Sequence, residues 1–206
     1  MRIFFVLFQL LCMVVVLKGQ TTHERVNEIV SLIKTNSDSA FTLANQLLEE
    51  SKSRDDAYGK VQSNFIMAYI NENNRGDFGK AIIYYLEAIR YGKRSNYDGV
   101  INNLSSLHKN SGAIFRKFNA YTLAEEYYGE ALYYARLADD DRQVLSLKYN
   151  ISALYRDQEK FDDSITILNE ILDQSEQKSS MYFKALNRLS FTYYEIGNLH
   201  KAKKIC

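Results

Sequence analysis

Residues 119–140 read NAYTLAEEYYGEALYYARLADD, a stretch with five tyrosines and five alanines. Ala124 and Ala131 stand seven apart, with Tyr128 between them. Seven residues are close to two helical turns, so the alanines share a face, and Tyr128 joins it. Small residues among large rings describe a helix that approaches one neighbour closely and fills a gap to another.

The pattern A-x-x-x-[YFL]-x-x-A-[LI] recurs along the chain. Ala81, Tyr85, Ala88 and Ile89 fit it, then Ala124, Tyr128, Ala131 and Leu132. Ser164, Leu168, Ile171 and Leu172 form a weaker copy, Ala202 opens another, and Ala40, Ala44 and Leu47 are a faint earlier one. The copies begin at 40, 81, 124, 164 and 202, a period near 40. Self-similarity at this spacing marks a stacked solenoid. Each copy follows another apolar-striped segment, such as Leu147, Ile151, Leu154 and Tyr155, or Leu186, Leu189 and Tyr193. Polar links NENNRGD, RKFNA, RDQEK and EIGN separate the segments, so each unit reads as helix, tight turn, helix. The chain has no proline, which favours long uninterrupted helices.

These units resemble tetratricopeptide repeats. Ile151-Ser152, Tyr155, Phe161 and Leu168 follow the family pattern, as do Leu189-Ser190, Tyr193, Gly197, Asn198, Leu199 and Ala202. Gly112, Phe115, Tyr121, Ala124, Tyr128 and Ala131 give the fullest copy, and RGDFGKA supplies the turn of an earlier one. The resemblance implies an all-α fold, a right-handed α-solenoid of antiparallel helix pairs. The expected division is a signal peptide at 1–19 and a degenerate helical pair at 20–56. Repeats follow at 57–97, 98–142 and 143–181, with a truncated repeat at 182–206. The family's usual proline is missing and the period exceeds the standard 34. The extra residues, at 71–73 and in the links near 95 and 140, therefore lengthen helices or loops.

Residues 1–19, MRIFFVLFQLLCMVVVLKG, carry Arg2, an uncharged run from Ile3 to Leu17, and then Lys18-Gly19. This is the layout of a secretory signal peptide cleaved after Gly19; the alternative is a retained membrane anchor, for which fifteen residues are short. Cleavage removes Cys12 and leaves Cys206 as the one thiol, so no internal disulfide forms. The expected location is the periplasm or cell surface.

Chemistry is sparse. His23, His108 and His200 are far apart and lack ligand-spaced partners, and no H-E-x-x-H or C-x-x-C occurs. RGD at 75–77 reads as the repeat turn rather than an adhesion tripeptide. No catalytic residue, metal or cofactor is expected. Lys plus Arg is 26 against 25 for Asp plus Glu, a balance that argues against a nucleic-acid partner.

The resemblance therefore implies a module that binds a protein or peptide on a concave face lined by first helices. Exported repeats of long period resemble the sensing segments of bacterial histidine kinases and helix-turn-helix regulators, and the alternative is a free envelope scaffold. Because Cys206 falls in mid-helix, the sequence is expected to be part of a longer chain. By the family's groove positions, the binding residues are Lys109, Asn110, Arg116 and Lys117, then Tyr149, Asn150 and Arg156, then Lys184, Asn187, Arg188 and Tyr194. Of these, Lys109, Asn150, Lys184 and Arg188 match a carboxylate-gripping set, with Ala113 replacing its second asparagine. The expected ligand is acidic, or the C-terminal carboxylate of a peptide.

Overall fold

The computed structural model describes residues 21–95 and 100–205. The expected signal peptide, Cys12 and Cys206 lie outside the described residues. Ten helices run through the described residues, with no strand among them: α1 (Thr22–Leu32), α2 (Ser37–Ser53), α3 (Ala57–Asn73), α4 (Phe78–Lys93), α5 (Ile101–Lys117), α6 (Tyr121–Leu137), α7 (Asp141–Asp157), α8 (Phe161–Gln174), α9 (Ser180–Glu195) and α10 (Leu199–Ile205). The chain divides into two compact units, residues 1–91 and 92–206.

Side-chain caps set the helix starts. Thr21 and Glu24 form a capping box on α1. Asn36, Asp56, Asp140 and Ser179 accept from the third backbone N–H of α2, α3, α7 and α9. The ends are set by residues in the left-handed region. Asp55, Asn119, Asp139, Glu159 and Gly197 have φ of 53°, 58°, 50°, 60° and 78°. After each, a backbone N–H reaches back five residues, as in Ala120 N to Phe115 O at 2.9 Å and Lys160 N to Tyr155 O at 2.8 Å. This double-bonded terminus closes a helix and turns the chain without proline.

The turn geometry also accounts for the period. Helices α5, α6 and α7 are each 17 residues long and begin at 101, 121 and 141, and α8 begins at 161. Across α5 to α7 the surplus over the standard repeat is thus in helix length, whereas residues 96–99 of the link near 95 lie outside the described residues. The link near 140 is only residues 138–140, and α3 continues through Asn73, so 71–73 are helix, not part of a link. Asn71 is buried there, its amide donating to Met67 O at 2.7 Å.

In unit 1, Val26 and Ile29 of α1, Ala40, Ala44 and Leu47 of α2, and Ile66, Met67 and Ile70 of α3 form one core. Gly59 lets α3 approach α2: a Cβ there would lie 2.0 Å from Ser51 Oγ. Thr22 Oγ1 donates to Asp56 Oδ2 at 2.7 Å, so the start of α1 is fixed on the cap of α3. In unit 2, Ala124, Tyr128, Ala131 and Ala135 of α6 pack with Leu147 and Leu154 of α7. A second cluster joins Leu168 and Ile171 of α8 to Ala185 and Leu189 of α9. Every small residue of the repeated pattern is buried, Ala40, Ala81, Ala124, Ser164 and Ala202 alike. Serine at the fourth copy is satisfied across its pair: Ser164 Oγ donates to Ser152 O at 2.8 Å. Ser190 Oγ donates likewise to Ala202 O at 2.9 Å.

Candidate ligand-binding face

The first helices of the pairs in unit 2 are α5, α7 and α9, and α7 touches both of the others. Their side chains form a row of charges built from residues about one repeat apart. Arg116 Nη1 of α5 lies 3.6 Å from Asp157 Oδ2, and Arg156 Nη2 lies 3.2 Å from Asp157 Oδ1. Arg156 also reaches Glu195 Oε2 of α9 at 3.7 Å and lies over the Phe191 ring. Two guanidiniums from successive first helices, α5 and α7, thus share one carboxylate.

Arg188 of α9 is placed differently. Its guanidinium carbon is 3.5 Å from the centroid of the Tyr149 ring, and Nη1 donates to Tyr149 O and, at 3.4 Å, to Ser152 Oγ. No carboxylate pairs with it among the described residues. Burial pushes its pKa down to about 10, and the charges of Arg156 and Arg116 add to the fall, against Tyr149 and Asp157. A guanidinium with two like charges nearby and no acid of its own is electrostatically suited to an incoming anion.

The remaining expected residues are dispersed. Lys109, half-buried, points to Gln143 Oε1 at 3.5 Å, and burial lowers its pKa against the pull of Asp140. Asn150 donates to Ser146 O in its own helix at 3.0 Å. Lys184 lines a cleft of about 520 Å³ with Arg142, Leu145, Ser175 and Met181. Asn187 and Tyr194 line another of about 560 Å³ with Phe191 and Leu199. Asn110 is half-buried on α5 and Lys117 is exposed at its end. The four carboxylate-gripping candidates therefore do not line one cleft: Lys184's contains none of the other three, and Asn150 and Arg188 direct donors into the chain. Sequence reasoning missed Asp157 and Glu195, the acids that divide the row. The adjacency of Arg156 and Asp157 was a signal for the first; nothing local pointed to the second.

Among the described residues no group of histidine, cysteine and acidic side chains could hold a metal, and no helix is long and apolar enough to cross a membrane.

No family model matches the chain, and no curated protein matches it in sequence. Solved structures do match. A kinesin light chain-like protein of Podosopora anserina, built of nearly identical TPR-like repeats, superposes with a TM-score of 0.69 at 10% identity, covering 89% of this chain and 90% of that one. The fold is that of tetratricopeptide-like repeats. BtubC from P. vanneervenii is similar at a TM-score of 0.64 and 17% identity, over 89% of this chain and 85% of its own. MamA from Desulfovibrio magneticus RS-1 is similar at 0.63 and 16%, over 91% and 92%. At such identities the likeness concerns the fold.

Proposed function

We propose that this chain is a non-catalytic protein-interaction module whose unit 2 binds an acidic segment of a partner through the row of α5, α7 and α9. The observation that carries this reading is Arg188, half-buried, without a carboxylate partner among the described residues, and near Arg116 and Arg156. An incoming carboxylate relieves that unpaired charge and forms charge-assisted hydrogen bonds. The TPR-like fold supports the reading by bringing half-buried first-helix side chains, Arg116, Arg156 and Arg188, into one row.

Fluorescence anisotropy of labelled Glu-rich and Lys-rich peptides with the full chain is the test. Glu-rich peptides bind, more weakly as salt rises, and Arg188→Gln with Arg156→Gln weakens them by about tenfold or more. Equal binding by both proteins removes these residues from the site, and a preference for Lys-rich peptides overturns the reading of the face.

The setting proposed for the module is outside the cytoplasm, as the sensing part of a larger signalling regulator. That placement rests on residues 1–19 alone. An export reporter fused directly after Glu24 is secreted if those residues direct export, and stays in the cytoplasm if they do not.

A further inference from the structure

The link from α8 to α9 builds a second site in unit 2. Helix α8 is capped by Ser175, whose backbone is extended at φ −86° and ψ 142°, and α9 starts at Ser180 behind its own cap, Ser179. The end of one helix thus meets the N-terminus of the next, and Arg142 and Leu145 of α7 complete the cleft of about 520 Å³. Ser175 is the one buried residue of the lining, 9% exposed, and its hydroxyl has no hydrogen-bond partner among the described residues. Buried hydroxyls are nearly always bonded, so this one points to an acceptor supplied from outside the chain. Ser179 Oγ accepts from Tyr182 N at 3.2 Å and keeps its own proton to donate. The N–H groups of Ser180 and Met181, the first two of α9, have no carbonyl within the helix to bond. Lys184 follows Ser180 by one turn on the same side of α9. Lys184 and Arg142 are exposed, and neither side chain makes an ion pair or hydrogen bond among the described residues.

The donors limit the occupant. Serine hydroxyls, backbone N–H groups, a guanidinium and an ammonium line one cleft, more than the two oxygens of a carboxylate can serve. A phosphate monoester brings three strong acceptor oxygens and up to two charges. A helix N-terminus favours it, and a guanidinium grips two of its oxygens at once. The volume exceeds that of a phosphate ion and falls in the range of roughly 300–1,000 Å³ that encloses a small organic ligand. Leu145 and Met181 give that organic part an apolar wall. Glu176, the one carboxylate of the lining, is exposed and unpaired among the described residues. It repels a bare anion and accepts from hydroxyl groups. We propose that this cleft binds a small hydroxylated phosphomonoester, its phosphate at the start of α9 between Arg142 and Lys184 and a hydroxyl on Glu176. The site is independent of the acidic-segment reading, since it uses neither Arg156 nor Arg188.

The test is isothermal titration calorimetry of the full chain with glucose 6-phosphate, inorganic phosphate, glucose and a phosphoserine peptide, at about pH 7.5, where the phosphate is dianionic. Glucose 6-phosphate binds at least about tenfold more tightly than the other three. Arg142→Gln and Lys184→Gln, both at exposed positions, each weaken it by about tenfold. Ser175→Ala weakens it several-fold while its melting midpoint stays level or rises, because an unpaired buried hydroxyl is removed; a serine that only supported the fold would not give that pair of results. Glu176→Gln narrows the margin over inorganic phosphate. Arg156→Gln with Arg188→Gln leaves glucose 6-phosphate binding intact even where Glu-rich peptides no longer bind, so each reading can fail alone. No binding of glucose 6-phosphate, wild-type binding by Arg142→Gln and Lys184→Gln, glucose binding as tightly as its phosphate, or tighter binding of the phosphoserine peptide would each overturn the assignment.

Discussion

Tyr128 Cδ1 lies 2.8 Å from where a Cβ on Gly112 would sit, so the ring of α6 rests on the bare backbone of α5. Ala124 O is 3.3 Å from the same point. Alanine at 112 gains about 1 kcal/mol of helix propensity, but neither the fully buried ring nor a helix carbonyl can retreat. Overpacking of about 1–3 kcal/mol prevails, so Gly112→Ala is destabilising. Gly129, exposed on α6, has nothing within 4 Å of its Cβ position. Gly129→Ala therefore stabilises by roughly 0.5–1 kcal/mol. Urea midpoints of the two variants should move in opposite directions.

The Tyr128 ring and its hydroxyl contribute differently. The side chain is fully buried, yet its hydroxyl has no hydrogen-bond partner among the described residues, and burial raises its pKa to about 12. Tyr128→Ala leaves a cavity and costs about 3–5 kcal/mol. Tyr128→Phe removes a buried, unsatisfied oxygen and should be neutral or stabilising, since such a group costs about 1–3 kcal/mol when unpaired. A thermal melt in which Tyr128→Phe loses as much as Tyr128→Ala would show that the hydroxyl has a partner.

His108 predicts a pH dependence. It is buried among Tyr127 and Tyr134, neither ring nitrogen has a hydrogen-bond partner among the described residues, and Glu130 is 3.9 Å from Nε2. Burial and the Lys93 charge lower its pKa to about 4, against Glu130. The folded state thus resists a proton that the unfolded chain takes up near 6.5. Its contribution is complete above about pH 6.5 and is lost as pH falls towards 4, roughly 2–3 kcal/mol across that window. His108→Phe keeps a ring in place and removes the titration. Its stability relative to wild type, from urea unfolding at about pH 7.5 and about pH 4.5, should rise at the lower pH; an equal difference at both would count against a neutral buried imidazole.

Glu159 sits at φ 60° at the α7–α8 turn, a conformation that disfavours a side chain with a Cβ. Asn119 occupies the same place after α5 at φ 58°, but asparagine tolerates it better. Glu159→Gly should raise stability by about 1 kcal/mol, and Asn119→Gly by only a few tenths. Differential scanning calorimetry of the two variants checks the order.

The helices, their pairing and their register were legible because that information is local. Ala124, Tyr128 and Ala131 recur at helical spacing, and every small residue of the repeated pattern is buried as the spacing requires. The caps at Asn36, Asp56, Asp140 and Ser179 are equally local, each acting within three residues. What tertiary structure alone decided is where the long polar side chains go. Position in the repeat put Lys109, Asn150, Lys184 and Arg188 on one face, but Arg188 lies over Tyr149, 39 residues away, and Asn150 turns to Ser146. Asp157 divides its charge between Arg116 and Arg156. The cleft at Ser175 and Lys184 likewise depends on how the α8–α9 link meets α7, not on either segment alone. The physical reason is that helical periodicity fixes the direction of Cα–Cβ bonds, whereas the end of a lysine or arginine side chain has many rotamers, and the partners that choose among them lie a whole repeat away.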